Sequence, residues 1–204
     1  MTVVDNCVFC DRTKFEERIV GENADFFIVA TIGQISNGGY LLLIPKRHLE
    51  CLGAMTSGEI VSAYQAIADI SKTISKEYSD KITVFEHGIV GQTIRHAHLH
   101  FIPEECDITQ RVEADFPDFP ISEPTTLAEL TYLYSLNSQP YLFWKDKSLE
   151  THICWDPPAP DMYLRIVVAE ALGRPERANW RTMDREMDNR LVRETVARLK
   201  PHFS

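Results

Sequence analysis

The sequence predicts an α+β protein: an antiparallel sheet with one helix packed against it, followed by a helical C-terminal extension. Three observations carry this. Two apolar strand-like runs flank a Ser36-Asn37-Gly38-Gly39 turn, one long segment repeats its apolar residues at helical intervals, and His96, His98 and His100 alternate with apolar residues at the period of a strand.

The two runs, residues 26–30 and 40–44, are expected to pair as a hairpin across the glycine turn. Thr56-Ser57-Gly58-Glu59 has capping-box spacing, and Ile60, Tyr64, Ile67, Ser71, Ile74 and Tyr78 follow on one helical face. Residues 82–86 read as a strand. Gly88 and Gly91 frame a loop into a further strand that Pro103 ends, because proline cannot donate to a ladder. The order β-β-α-β-β with short connections implies antiparallel pairing. Residues 104–124, acidic and proline-bearing, read as an irregular loop. Thr126-Leu127-Ala128-Glu129 announces a short helix, residues 141–144 and 151–155 two more strands, and residues 162–172 and 184–199 two helices, the first ended by Gly173. The expected organisation is a catalytic region at 1–110, a connecting region of loop, short helix and strands at 111–156, and a helical extension at 157–204.

Composition narrows the function. With 204 residues, 44% hydrophobic and 25% charged, the chain can bury a sizeable core. A net charge of -9 argues against a general nucleic-acid binder, which needs clustered Lys and Arg. The charge is uneven: residues 104–161 hold 3 basic and 12 acidic side chains, whereas residues 173–204 hold 8 basic and 5 acidic. The longest apolar run is too short to span a bilayer, and the N-terminus lacks a signal-peptide layout, so a cytoplasmic, membrane-free protein is expected. Five cysteines, two of them as Cys7-Val8-Phe9-Cys10, fit a reduced compartment and a metal site better than disulfides, with Cys51, Cys106 and Cys154 as structural residues.

Three histidines at period two put three imidazoles on one face, with Ala97, Leu99 and Phe101 on the other. Two chemistries compete. His98, His100 and Glu104 match the first metal motif of a cupin, yet none of the eleven prolines is followed two residues later by glycine, as the second motif requires. Catalysis by one ring gains from Gly91-Gln92-Thr93, whose backbone, amide and hydroxyl suit phosphate oxygens. Lys46, Arg47 and Arg95 are read as solvated charges.

With His96 to Ile102 as a His-φ-His-φ-His-φ-φ signature, Leu41-Leu42-Leu43-Ile44 leading into Pro45-Lys46-Arg47-His48, and Cys7-x-x-Cys10, the chain resembles the histidine triad (HIT) superfamily from Cys7 to about Pro103. The resemblance implies a HIT-like fold and a nucleotide hydrolase or nucleotidyl transferase, acting on an anhydride, ester or phosphoramidate. In it His98 forms a transient nucleotidyl-histidine, His100 donates to phosphate oxygens, and Gln92 and Thr93 orient them. It further implies a structural zinc on Cys7, Cys10, His48 and His96, and a homodimer. A nucleotide-binding sensor or scaffold with little turnover is the alternative. Departures fall where the nucleoside is held: Ala30-Thr31-Ile32 lacks the family's aspartate, Tyr40 stands where histidine is common, and Glu86-His87-Gly88 where Asn-x-Gly is common. His100 favours the hydrolase side, since the hexose-phosphate uridylyltransferase relatives carry glutamine there. Residues 163–172 and Trp180-Arg181 resemble C-terminal extensions of larger bacterial relatives, read here as packing elements.

Overall fold

A computed structural model describes residues 7–122, 126–146 and 150–203. Ile19–Glu22 (β1) turns into Phe26–Ala30 (β2) through Asn23, whose Oδ1 accepts from the Asp25 and Phe26 amides at 3.0 and 2.8 Å. β2 pairs antiparallel with Leu41–Pro45 (β3), Phe26 opposite Pro45 and Ala30 opposite Leu41, so the expected hairpin forms with its second strand starting one residue later. Ser57–Glu77 (α1) follows. Thr56 Oγ1 accepts from the Glu59 amide and Glu59 Oε2 from the Thr56 amide, which is the full capping box. Thr83–Gly88 (β4) and Leu99–Ile102 (β5) complete this half, and β5 inserts between β3 and β4.

The second half adds Thr109–Asp115 (α2), Ile121–Ser122 (β6), Leu127–Asn137 (α3), Tyr141–Lys145 (β7), Thr151–Trp155 (β8), Tyr163–Ala171 (α4) and Arg185–Leu199 (α5). All eight strands join one antiparallel sheet in the order β1-β2-β3-β5-β4-β7-β8-β6. The open edge that β4 would otherwise present is filled by β7 of the same chain. Among the described residues no helix is long and apolar enough to cross a membrane.

Both faces of the sheet are covered, which is why β2 and β3 read as unbroken apolar runs. On one face Leu41, Leu43, Ala97, Leu99 and Phe101 pack with Ala63, Ala66, Ile70 and Ile74 of α1. On the other, Val29, Tyr40, Leu42, Ile44 and Phe85 pack with Leu164, Val167 and Val168 of α4. α5 ties down the β2–β3 loop: the Asp188 carboxylate accepts from the Gly33 and Gln34 amides, and Thr195 Oγ1 from the Gly39 amide. Gly39 sits at φ +77°, left-handed backbone that the turn needs glycine to reach.

Two local readings are corrected. Residues 104–124 are not one irregular loop, since α2 and β6 lie within them. α2 starts where Thr109 donates through its hydroxyl (2.6 Å) and amide (3.3 Å) to Asp146, a cap supplied from 37 residues away that local sequence cannot announce. Residues 123 and 124, and the first six residues on which the reading of the N-terminus rests, lie outside the described residues. The histidine strand is also shorter than its signature. Only residues from Leu99 onward pair with β3 and β4, while His96 to His98 lie outside the ladder, with a bend at His96 and the Ala97 amide donating to Leu49 O at 2.6 Å.

Candidate active site

His96, His98 and His100 are all buried, at 0%, 9% and 3% exposed, and His100 lies beside Tyr40 and Phe85 on the sheet face that α4 covers. His98 and His100 stand with ring centres 4.8 Å apart. Phe85, opposite His100 in the β4–β5 register, stacks on its ring at 4.2 Å and 10°, and Phe9 meets both His96 and His98 edge-on. Removal from water disfavours the charged imidazole, so the pKa of His98 is pushed down to about 4 and that of His100 well below its ordinary value. Both rings are neutral at pH 7.

Hydrogen bonds fix which nitrogen of each ring carries the proton. His98 Nδ1 lies 2.7 Å from the His96 carbonyl, an acceptor only, so Nδ1 carries the hydrogen and Nε2 keeps a lone pair. The Arg165 guanidinium donates to the Tyr40 hydroxyl at 2.9 Å, and because arginine can only donate, the hydroxyl hydrogen is left to point at His100 Nδ1, 2.5 Å away. That arrangement puts the hydrogen of His100 on Nε2, a buried donor with no hydrogen-bond partner among the described residues. His87, a further histidine with its ring centre 6.0 Å from that of His100, accepts from the Leu164 amide through Nε2 at 3.0 Å, and burial lowers its pKa to about 3.

Next to the triad, one ligand atom each from Cys7, Cys10, His48 and His96 lies within 4.8 Å of the others. Cys7 Sγ is 3.3 Å from His96 Nδ1 and Cys10 Sγ 3.4 Å from His48 Nδ1. His96 Nε2 donates to Pro45 O at 2.9 Å, which leaves Nδ1 as the coordinating nitrogen and orients its ring. Two thiols and two imidazoles converging in this way can hold a tetrahedral metal ion. The other three cysteines are buried, and burial raises the pKa of each to about 11, consistent with unreactive thiols.

Gln92 and Thr93 lie half-buried in the turn before the triad. The Gln92 amide nitrogen is engaged with Glu50 O at 2.7 Å, while its Oε1 is buried without a partner. Lys46 pairs with Glu22 and Arg47 with Glu59, both at 2.7 Å, and Arg95 is exposed. Sequence reasoning missed Arg165. Its signal was a lone cation inside the apolar stretch Tyr163-Leu164-Arg165-Ile166-Val167-Val168, the kind of break in an apolar run that calls for a buried partner. Tyr40 and His87, which depart from the family pattern in sequence, are neighbours of His100 in the structure.

Residues 6–112 match the model of the family described as scavenger mRNA decapping enzyme C-term binding. The chain is 29% identical over 83 residues to the asymmetrical bis(5'-nucleosyl)-tetraphosphatase of Schizosaccharomyces pombe, covering 39% of this chain and 42% of that protein, less than half its length. It is 28% identical over 108 residues to the protein hit of Bacillus subtilis, covering 50% and 74%. Among solved structures it is similar to a member of the HIT family from Bacillus subtilis, at 26% identity and a TM-score of 0.44 over 49% of this chain and 74% of that one. The family match takes in more than half of the chain and spans both cysteines of the pair, His48 and the whole triad, and the chain belongs to the histidine triad superfamily.

Proposed function

We propose that this chain cleaves a nucleoside phosphate anhydride, ester or phosphoramidate, or transfers its nucleotidyl group, with His98 as nucleophile. The observation that carries the reading is the pairing of tautomers: a neutral His98 with its Nε2 lone pair free, beside a His100 whose Nε2–H has no partner. The names of the relatives, a tetraphosphatase and a decapping enzyme, support a nucleotide substrate.

In this mechanism His98 Nε2 attacks phosphorus. The bond from phosphorus to the leaving group breaks, and the departing oxygen or nitrogen takes the electron pair and is protonated by water. His98 Nδ1–H, held on the His96 carbonyl, shares the positive charge that the ring acquires. His100 Nε2–H donates to a non-bridging oxygen as charge builds on it. Water then attacks phosphorus from the other side, the N–P bond breaks with its pair returning to His98, and the proton of that water leaves to solvent. Gln92 and Thr93, in the turn before the triad, would orient the phosphate oxygens. For Gln92 to donate there, its amide must release Glu50 O.

Cys7, Cys10, His48 and His96 would hold zinc with no position left for substrate. Bound there, zinc supplies rigidity: it ties the N-terminal segment to the residue two before His98. The homodimer that the resemblance implies stays within the proposal, with its interface on surfaces other than the β4 edge, which β7 fills.

The test is denaturing mass spectrometry after incubation with a nucleotide panel, quenched at alkaline pH because the N–P adduct is acid-labile. A nucleotidyl mass gain that disappears in His98→Ala is expected. The burial of the triad under α4 favours one second reading, a nucleotide-binding sensor with little turnover. Calorimetric binding with neither adduct nor product across the panel would establish that reading instead. Metal analysis of the same preparations should find about one zinc per chain, lost in Cys7→Ser.

A further inference from the structure

Arg165 is 5% exposed, yet its hydrogen-bond partners are neutral oxygens: Ala178 O at 3.0 Å, Gly33 O at 2.9 Å, Arg177 O at 3.3 Å and the Tyr40 hydroxyl at 2.9 Å. A buried guanidinium with no carboxylate on it among the described residues is an expensive arrangement that packing alone would not select. What it accomplishes is directional. A hydroxyl between two partners can point its hydrogen either way, but arginine cannot accept, so the hydrogen of Tyr40 has a single place left to point. Here that place is His100 Nδ1.

We propose that Arg165 is a positioning residue of the active site, acting through Tyr40 to hold His100 as the tautomer whose Nε2–H is free to bind a phosphate oxygen. The inference rests on the reading of the site as one for phosphoryl chemistry. It gives the helical extension a function, since Arg165 and Tyr40 are 125 residues apart and α4 brings them together. Three other contacts keep the arginine in register. The Met162 amide donates to Gly91 O at 2.8 Å, the Leu164 amide donates to His87, and Asp188 on α5 fixes the Gly33 backbone whose carbonyl accepts from Arg165. Tyr40 stays protonated at neutral pH, because burial raises its pKa more than Arg165 lowers it. The relay also accounts for the tyrosine. A phenol beside an arginine carries its proton in one direction, whereas an imidazole in its place could present either nitrogen.

The decisive readout is the side-chain ¹⁵N spectrum of His100 in labelled protein, which distinguishes the two neutral tautomers without any substrate. Wild type is expected to show the Nε2–H form. Tyr40→Phe and Arg165→Met are expected to shift His100 toward a mixture, and Arg165→Lys, which still donates to Tyr40, to restore most of the wild-type pattern. In the adduct assay the first two variants should slow nucleotidylation roughly 10- to 100-fold, less than the 10²–10³ expected for deleting the oxyanion donor itself. If wild-type His100 carries its proton on Nδ1, or if its tautomer is unchanged in both Tyr40→Phe and Arg165→Met, the proposal is wrong. Tyr40→Phe, which differs by one oxygen, keeps the question answerable should Arg165→Met not fold. An absence of adduct in wild type would instead count against the phosphoryl reading, and the tautomer measurement would stand apart from it.

Discussion

The two faces of the central sheet are equally buried and are held together by different physics. Against α1 the contacts are aliphatic and aromatic, with Leu41, Leu43, Leu99 and Phe101 on Ala63, Ala66, Ile70 and Ile74. Against α4 the same strands present Tyr40, His98 and His100, and the helix answers with an arginine as well as with Leu164 and Val168. Alternation along β5 thus assigns neighbouring residues to separate tasks. Leu99 and Phe101 join the apolar packing against α1, and His98 and His100, one position away, are the buried imidazoles proposed to carry the chemistry. A polar layer so deep in the fold is tolerable because most of its donors are satisfied, and His100 Nε2–H, without a partner among the described residues, is the donor that the proposed substrate would take up.

Phe101→Ala breaks this comparison on its apolar side and carries the largest expected loss of stability. Phe101 is fully buried between Leu41 on β3 and Val84 on β4, and its truncation should cost about 3–5 kcal/mol, read as a lowered urea midpoint. Nucleotidyl adduct per folded molecule should be unchanged. A Phe101→Ala protein that stays folded but loses the adduct would show that the two faces are not separable.

Much of this division was readable in the sequence. Hydrophobic periodicity located α1, the β2–β3 hairpin and the alternation from His96 to His100, because each depends on residues within a few positions of one another. What stayed hidden depends on distant partners. The start of α2 needs Asp146, the relay needs Arg165 beside Tyr40, and the pairing of β7 with β4 has no local signal at all. The strand expected from His96 began only at Leu99 because the Leu49 carbonyl, not a neighbouring strand, engages the Ala97 amide. For the C-terminal helices the apolar pattern gave their extent, but not that one of them would close over the histidines.

Glu86 sharpens the comparison, as a fully buried carboxyl beside Leu52 and Tyr141 of the apolar cluster on the α1 face. It accepts from the Leu52 amide at 2.8 Å and the Tyr141 hydroxyl at 2.7 Å, yet burial dominates and raises its pKa from 4.5 to about 7. The folded state therefore binds a proton that the unfolded chain has released between about pH 4.5 and 7. Stability from this group is full below about pH 4.5 and is lost as pH rises through 7, by roughly 3 kcal/mol at the value of 1.36 kcal/mol per pKa unit. Glu86→Gln can keep the Leu52 bond through Oε1 and donate to Tyr141, whose hydroxyl can turn to accept. Urea unfolding from pH 4 to 8 should show the variant gaining on wild type as pH rises. Parallel curves would mean that Glu86 is ionised throughout.

The smallest expected effect tests whether the faces are independent. Thr56→Ala removes the hydroxyl that caps α1, and Glu59 loses one partner while keeping the Arg47 guanidinium, which does most to hold its pKa down at about 2. A loss of about 1 kcal/mol in urea unfolding follows from the cap alone. α1 touches the sheet on the face opposite the triad, so the rate of adduct formation should match wild type at every urea concentration where both proteins are folded. Sites that share no partner combine additively, and the double variant Thr56→Ala/Tyr40→Phe should lose the sum of the two stabilities while reacting at the rate of Tyr40→Phe. A rate below that would mean that the cap of α1 is felt across the sheet, through β3 and β5, and that the division of labour between the faces is incomplete.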